Sequence, residues 1–327
     1  MSRILLQTPE LRLGIRSDVG GGVDEFAFAS SDGSFVPLWR TAPAAASWFN
    51  ELSSYTLLPW SNRIAGGAFE FGGTRRELRR DWPDGTAIHG SVKDLPWRIL
   101  DRSPFSARLG FESADHGTAE KSRCNWPWRF GAVQRYELDG FTLRMDLEIT
   151  NRSDEPMPAG AGWHPFFPRT LGVGAAKGTQ GACDQTPLDE IVVRAPVAGR
   201  YPARGMLPTG PAVMDGMCER LARGEHFSDL DLDDVFLLRR EGEACFSVEW
   251  PSSRVRLDVT GSPDLSHMVV YSGRGEDGKK LPFVCVEPVT MVNDGFNLAA
   301  RGWSGTGVRT VEPGETWSVW AEWKVRG

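Results

Sequence analysis

The chain alternates apolar and polar residues with a period of two. In residues 11–16, Leu11, Leu13 and Ile15 are separated by Arg12, Gly14 and Arg16. In residues 143–150, Leu143, Met145, Leu147 and Ile149 alternate with Arg144, Asp146, Glu148 and Thr150. That is the signature of a half-buried strand, in which successive side chains point to opposite faces. Asp139-Gly140 precedes the second run and follows Gln134-Arg135-Tyr136-Glu137-Leu138, which predicts a hairpin. Phe246, Val248 and Trp250 alternate up to a turn at Pro251-Ser252-Ser253, and Val255, Leu257 and Val259 resume beyond it. After a Pro313-Gly314 turn, Trp317, Val319, Ala321, Trp323 and Val325 share one face.

Helical spacing is rare. Residues 213–223 predict two or three turns, and residues 172–187, rich in Gly, Ala and Thr, read as a long surface loop. No linker, repeat or low-complexity tract divides the chain, and Gly and Pro punctuate it throughout. The pattern predicts an all-β fold, a large antiparallel β-sandwich over residues 1–327 as one domain.

Composition narrows the function. The 327 residues carry 37 basic and 43 acidic side chains, a net charge of −6, which argues against nucleic acid as a partner. No run approaches the roughly 18 apolar residues of a membrane span, and none near Met1 suits a signal peptide. The five Cys are widely spaced without a Cys-x-x-Cys, against a disulfide framework or a zinc site. Reduced thiols and a cytoplasmic location are the expectation. Thirteen Trp against four Tyr offer flat faces for a sugar, although core packing accounts for Trp equally well. No P-loop, Gly-x-Ser-x-Gly, His-Glu-x-x-His or dinucleotide-binding glycine motif is present.

Two ionisable residues stand out. Glu287 ends the apolar run Phe283-Val284-Cys285-Val286 and precedes Pro288, which favours an extended backbone. A carboxylate there is either buried with partners or turned to water at the strand end, because burying a bare charge costs several kcal/mol. His164 lies in Gly162-Trp163-His164-Pro165-Phe166-Phe167, among aromatics, and reads either as a proton-exchanging group or as a core histidine. His89 precedes Gly90, which admits a close approach by chain or ligand. Arg63, next to Asn62 in a turn-rich segment, presents a fork of donors suited to hydroxyls or a carboxylate. Asp233 and Asp234 close an acidic run at the mouth of an apolar strand. His116, His226 and His267 read as bystanders.

Together these segments resemble the aldose 1-epimerase (galactose mutarotase-like) family. The matching stretches are PWSNRIAGGAFEFGG from Pro59, AIHGSVKDLPWRI from Ala87, GWHPFFPR from Gly162, DDVF from Asp233 and VCVEPVTMVNDGFN from Val284, in the family's order. The resemblance implies the galactose mutarotase-like supersandwich and interconversion of α and β anomers of a free aldose. It implies no cofactor and no metal, no membrane or nucleic-acid partner, and a monomer or homodimer. Carried over motif by motif, it makes His164 the general acid and Glu287 the general base. Arg63, His89 and Asp233 hold the sugar, with Asn62 supporting Arg63; the Asp233-Asp234 doublet leaves that choice open by one residue. Ser91, Phe166 and the residues after Pro288 depart from the commoner family pattern, which bears on the substrate. Two alternatives remain open: a non-catalytic sugar-binding protein, and a hexose-6-phosphate 1-epimerase, for which Arg75, Arg76, Arg79 and Arg80 are the candidate cations.

Overall fold

The structure, a computed structural model, describes residues 3–117, 123–172, 190–239 and 244–327. Beyond Gly172, the loop expected up to Pro187 lies outside the described residues, as does Cys183. Four of the alternating runs, within Thr142–Asn151, Ala244–Trp250, Val255–Gly261 and Thr316–Arg326, form strands of one nine-stranded sheet, and Leu11–Arg16 joins a smaller one; the strands pair antiparallel. The nine-stranded sheet runs Arg98–Arg102, Ser106–Glu112, Phe130–Asp139, Thr142–Asn151, Thr316–Arg326, Val255–Gly261, Ala244–Trp250, Val192–Arg194 and Glu225–His226. The seven-stranded sheet runs Val197–Arg200, Asp233–Leu238, His267–Tyr271, Phe283–Val289, Gly162–Trp163 and Thr56–Leu57, with Phe166–Pro168 also on Phe283–Val289. A further four-stranded sheet holds Arg3–Gln7, Leu11–Arg16, Gly22–Ala29 and Phe35–Pro37.

The two hairpins form where the turn residues place them: Phe130–Asp139 pairs with Thr142–Asn151, and Ala244–Trp250 with Val255–Gly261. The helix expected over 213–223 is Gly216–Arg223, started by the Asp215 carboxylate, which accepts from the Cys218 N–H as an N-cap. The short helix Gly295–Ala300 carries no comparable signal, being one and a half turns long.

Period two sorts the side chains. On the nine-stranded sheet Leu143, Met145, Leu147, Ile149, Val319, Ala321 and Trp323 face inward, and on the seven-stranded sheet Phe236, Met268, Val270, Val284 and Val286 meet them in one buried cluster. Aromatic rings lock the sheets together: Trp323 packs on Trp39 at 5.0 Å and on Phe246 at 6.1 Å, with Phe167 at 6.4 Å. Such pairs contribute about 0.5–1.5 kcal/mol each beyond the area they bury. The opposite face of the seven-stranded sheet carries a second buried cluster, with Val235, Val269, Cys285 and Val289 beside Tyr55 and Phe166. The candidate site lies on that face.

Candidate active site

Glu287 is the fifth of the seven residues of Phe283–Val289, and strand alternation turns its neighbours Val286 and Pro288 to the opposite side. Beside this strand the chain 162–168 pairs in two pieces, Gly162 opposite Val289 and Phe166 opposite Cys285. The register is the same on both sides of the gap, so His164 stands opposite Glu287. His164-Pro165 and Glu287-Pro288 fall together at this gap, where proline's missing N–H leaves no ladder bond unmade. The His164 Nε2 lies 3.1 Å from Glu287 Oε1, with the side chains 8% and 2% exposed. Alternation also explains the aromatics: Trp163 and Phe167 enter the main core, while His164 and Phe166 turn to the pocket.

Three rings grip the imidazole. Tyr55 stacks on it at 4.6 Å and 18°, Phe166 packs at 4.7 Å, and His89 meets it edge-on at 5.1 Å. The His164 N–H donates to the Tyr55 carbonyl at 3.0 Å, which ties the gap to the chain on its other side. His164 Nδ1, His89 Nδ1 and Glu287 Oε2 are buried without a hydrogen-bond partner. Such atoms are costly unless a ligand or water satisfies them.

His89 and Asn62 occupy the left-handed region, at φ 60° and 52°. They flank the two-residue pairing of Arg63–Ile64 with Ala87–Ile88, and the His89 N–H donates to the Asn62 carbonyl at 2.9 Å. A non-glycine residue at positive φ costs of the order of 1–3 kcal/mol and is held by its surroundings. Gly90 follows at φ 79°, and a Cβ there would stand 2.1 Å from the Leu58 carbonyl oxygen. The close approach that Gly90 permits is therefore to the chain at Leu58. Arg63 is oriented by Asp84, Nε to Oδ2 at 2.8 Å, and donates to Asn62 Oδ1 at 3.2 Å.

Strand alternation separates the acidic doublet. Asp233 faces the pocket, whereas Asp234 turns to Arg200 at 3.7 Å. The resulting cavity, about 420 Å³, is lined by all six residues singled out in the sequence: Asn62, Arg63, His89, His164, Asp233 and Glu287. Small-molecule pockets span roughly 300–1,000 Å³. Tyr55, Phe166, Trp82 and Tyr271 add aromatic walls. Of the tryptophans near the motifs, Trp60, Trp97 and Trp163 are buried in the main core, and Trp82 reaches the pocket. A larger groove of about 750 Å³, between Arg194 and Arg326, is lined by no histidine and lies away from the acid–base pair. His267 is a core residue, bonded to Tyr201 and to the Thr290 carbonyl. Among the described residues, no group of His, Cys, Asp or Glu is placed to hold a metal ion.

The pocket favours uncharged acid–base groups. Burial raises Glu287 well above the carboxylate range; Asp233 adds to the rise and the Arg63 charge opposes it. Burial, helped by the Arg40 charge, lowers His164 to about 3, and burial with the His164 and Lys93 charges lowers His89. Asp233 is raised to about 6, by burial against the pull of Arg63. Burial thus disfavours charge on both partners of the 3.1 Å contact between Glu287 and His164.

Asn50, Tyr55 and Tyr271, which line the cavity, and Arg40, behind Phe166, escaped the reading of the sequence. Tyr271 sits opposite Asp233 and Cys285 in the sheet, a placement that only the register reveals. The charged Arg40 after Val36-Pro37-Leu38-Trp39 was the one local signal.

The aldose 1-epimerase family model matches residues 2–324. Among solved structures, the chain is similar to a galactose mutarotase-like protein from Clostridium acetobutylicum, with TM-score 0.81 at 21% identity over 99% of this chain and 95% of that one. It is also similar to galactose 1-epimerase from Lactobacillus acidophilus, with TM-score 0.72 at 16% identity over 99% and 94% of the two chains. The uncharacterized Escherichia coli protein YphB is 27% identical over 154 residues, 46% of this chain and 47% of YphB, so the match spans about half of that relative. YihR from the same organism is 22% identical over 245 residues, 74% of this chain and 70% of YihR. With a family match across nearly its whole length and a sandwich that these folds share, the chain belongs to the aldose 1-epimerase family.

Proposed function

We propose that this protein is a mutarotase, a cofactor-independent isomerase that interconverts the α and β anomers of a free aldose. The observation that carries this reading is the His164–Glu287 contact, 3.1 Å long, in the wall of a sugar-sized pocket. Ring opening requires a proton to leave the anomeric hydroxyl and another to reach the ring oxygen. A pair that holds one proton and has room for one more does both without net change.

The proton first moves across the contact from Glu287 to His164 Nε2, a transfer that the Arg63 charge favours by lowering the proton affinity of Glu287. The Glu287 carboxylate accepts the anomeric hydroxyl proton as the C1–ring oxygen bond breaks and the C1 carbonyl forms. The His164 imidazolium gives its proton to the ring oxygen. Rotation about C1–C2 presents the other carbonyl face, and the steps reverse. Each general acid–base contribution supplies about 10²- to 10⁴-fold. Arg63, His89, Asp233 and Asn62 hold the sugar hydroxyls, and the buried unpartnered Nδ1 of His89 is an available polar contact.

The pocket favours a neutral sugar over a sugar phosphate. Among the described residues, Arg63 is the one Lys or Arg that lines it, and it is already engaged by Asp84. The cluster proposed for a phosphate is spent elsewhere: Arg75 on Glu77, Arg76 on Glu155, Arg79 on the Arg123 carbonyl and Arg80 on the Gly66 carbonyl. A purely sugar-binding protein has no use for a proton-sharing pair. Polarimetry of freshly dissolved α-anomers of galactose, glucose and other common aldoses tests the reading. Acceleration over buffer is expected for at least one, and none for any would defeat it.

A further inference from the structure

Arg40 carries a charge that the mechanism above does not use. Its guanidinium is half-buried and makes no ion pair among the described residues. It donates instead to two backbone carbonyls, Leu52 at 3.1 and 3.0 Å and Asn50. It lies 3.4 Å from the centre of the Phe166 ring and 4.9 Å from that of Phe283. The Arg40 N–H donates to the Phe166 carbonyl at 2.7 Å, so backbone and side chain both hold that residue. Phe166 in turn packs against the His164 imidazole at 4.7 Å. Asn50, whose carbonyl Arg40 binds, and Phe166 both line the pocket.

We propose that Arg40 is a positioning residue for the acid–base pair. Through Phe166 it fixes the His164 ring, and its permanent charge, one ring away, keeps the imidazolium a strong proton donor. The inference rests on the reading of His164 as the acid. A guanidinium suits this place because it stays charged under all conditions and spreads over an aromatic face.

The other groups around His164 are Glu287 and the Cys285 thiol from Phe283–Val289, Asp233 from Asp233–Leu238, Tyr271 from His267–Tyr271, Arg63 and His89 from the paired turns, and Tyr55. Asp233 and Glu287 draw protons to the site. After burial itself, Arg40 is the leading influence holding His164 down. Removing it raises the proton affinity of both pair members. Both limbs of the pH profile then move to higher pH, by about one unit for a charge at this range and an effective dielectric near 20.

The test compares Arg40→Gln, Arg40→Met and Arg40→Lys in the full chain. Arg40→Gln keeps a donor for the Leu52 carbonyl at the place of Arg40 Nε, and is expected to fold even where Arg40→Met does not. In histidine-labelled nitrogen NMR followed from pH 7 down to pH 4, the His164 Nε2 signal is expected to begin moving toward the imidazolium position at higher pH in the two neutral variants than in the wild type, and Arg40→Lys is expected to restore the wild-type titration. The kcat/KM profile of the neutral variants is expected to shift upward on both limbs. A folded Arg40→Gln protein with an unmoved His164 titration and unmoved limbs would overturn the proposal. The NMR arm is independent of turnover, so an inactive wild type defeats the mutarotase reading alone and leaves the role of Arg40 measurable.

Discussion

His164 and Glu287 face each other across a gap in a β-ladder, 3.1 Å apart, each followed by a proline. The same backbone interruption that frees these side chains from the ladder's crowding also brings them into contact. The proposed proton exchange across this gap requires both partners. Glu287→Gln and His164→Asn are each expected to lower kcat by about 10²- to 10⁴-fold, with KM changed far less. Thermal unfolding monitored by circular dichroism checks that both variants fold; full activity in either refutes its assigned role.

Substrate affinity should weaken in mild acid. Asp233 is buried enough to protonate near 6, and protonation removes an acceptor for sugar hydroxyls. KM for the best aldose is expected to rise as pH falls from 7 to 5, through the titration of Asp233. In Asp233→Asn, KM is expected to be high and flat over that range. Steady-state kinetics across the range make the comparison, and a wild-type KM that does not change would contradict it.

Acid stability has a separate origin. His267 is held neutral in the core, lowered by burial from 6.5 to about 4. The unfolded chain takes up this proton near pH 6.5 and the folded one only near 4. The stabilisation is therefore whole above pH 6.5 and is lost as pH falls to about 4, by as much as ~3 kcal/mol. Urea unfolding of His267→Gln at pH 7 and pH 4.5 is expected to show a smaller loss between the two than the wild type does, although the variant starts less stable.

Gly90 couples the fold to the site. Gly90→Ala forces a Cβ against the Leu58 carbonyl, 2.1 Å away, at φ 79°. The strained backbone alone costs about 1–3 kcal/mol, and the displacement reaches His89 next to it. Both a lower unfolding midpoint and a raised KM are expected. A variant with the wild-type midpoint and KM would show that the turn tolerates a side chain.

Much of this was legible in the sequence. The alternation at Leu143–Ile149 and Trp317–Val325 marks central strands because one face of each is buried and the other is not. The motifs around His164 and Glu287 were legible through their resemblance to a known family, and the fold brings both side chains to one pocket. Tyr55, Asn50 and Arg40 were not legible. They reach the site through stacking and carbonyl bonds between distant segments, such as Arg40 to Leu52, and no local pattern encodes such contacts. The Asp233-Asp234 doublet was ambiguous for the opposite reason: both residues fit the motif, and only the pleat of the strand decides which one faces the pocket.

The central claim is that the His164–Glu287 pair opens and recloses a sugar ring. The most direct measurement is the rate of anomer exchange, read by magnetisation-transfer NMR on equilibrated free aldoses with wild-type protein and with Glu287→Gln. The account predicts exchange well above the buffer rate with the wild type for at least one aldose, and a return to the buffer rate with the variant. Exchange at the buffer rate for every aldose with the folded wild type, or equal enhancement by Glu287→Gln, would contradict it.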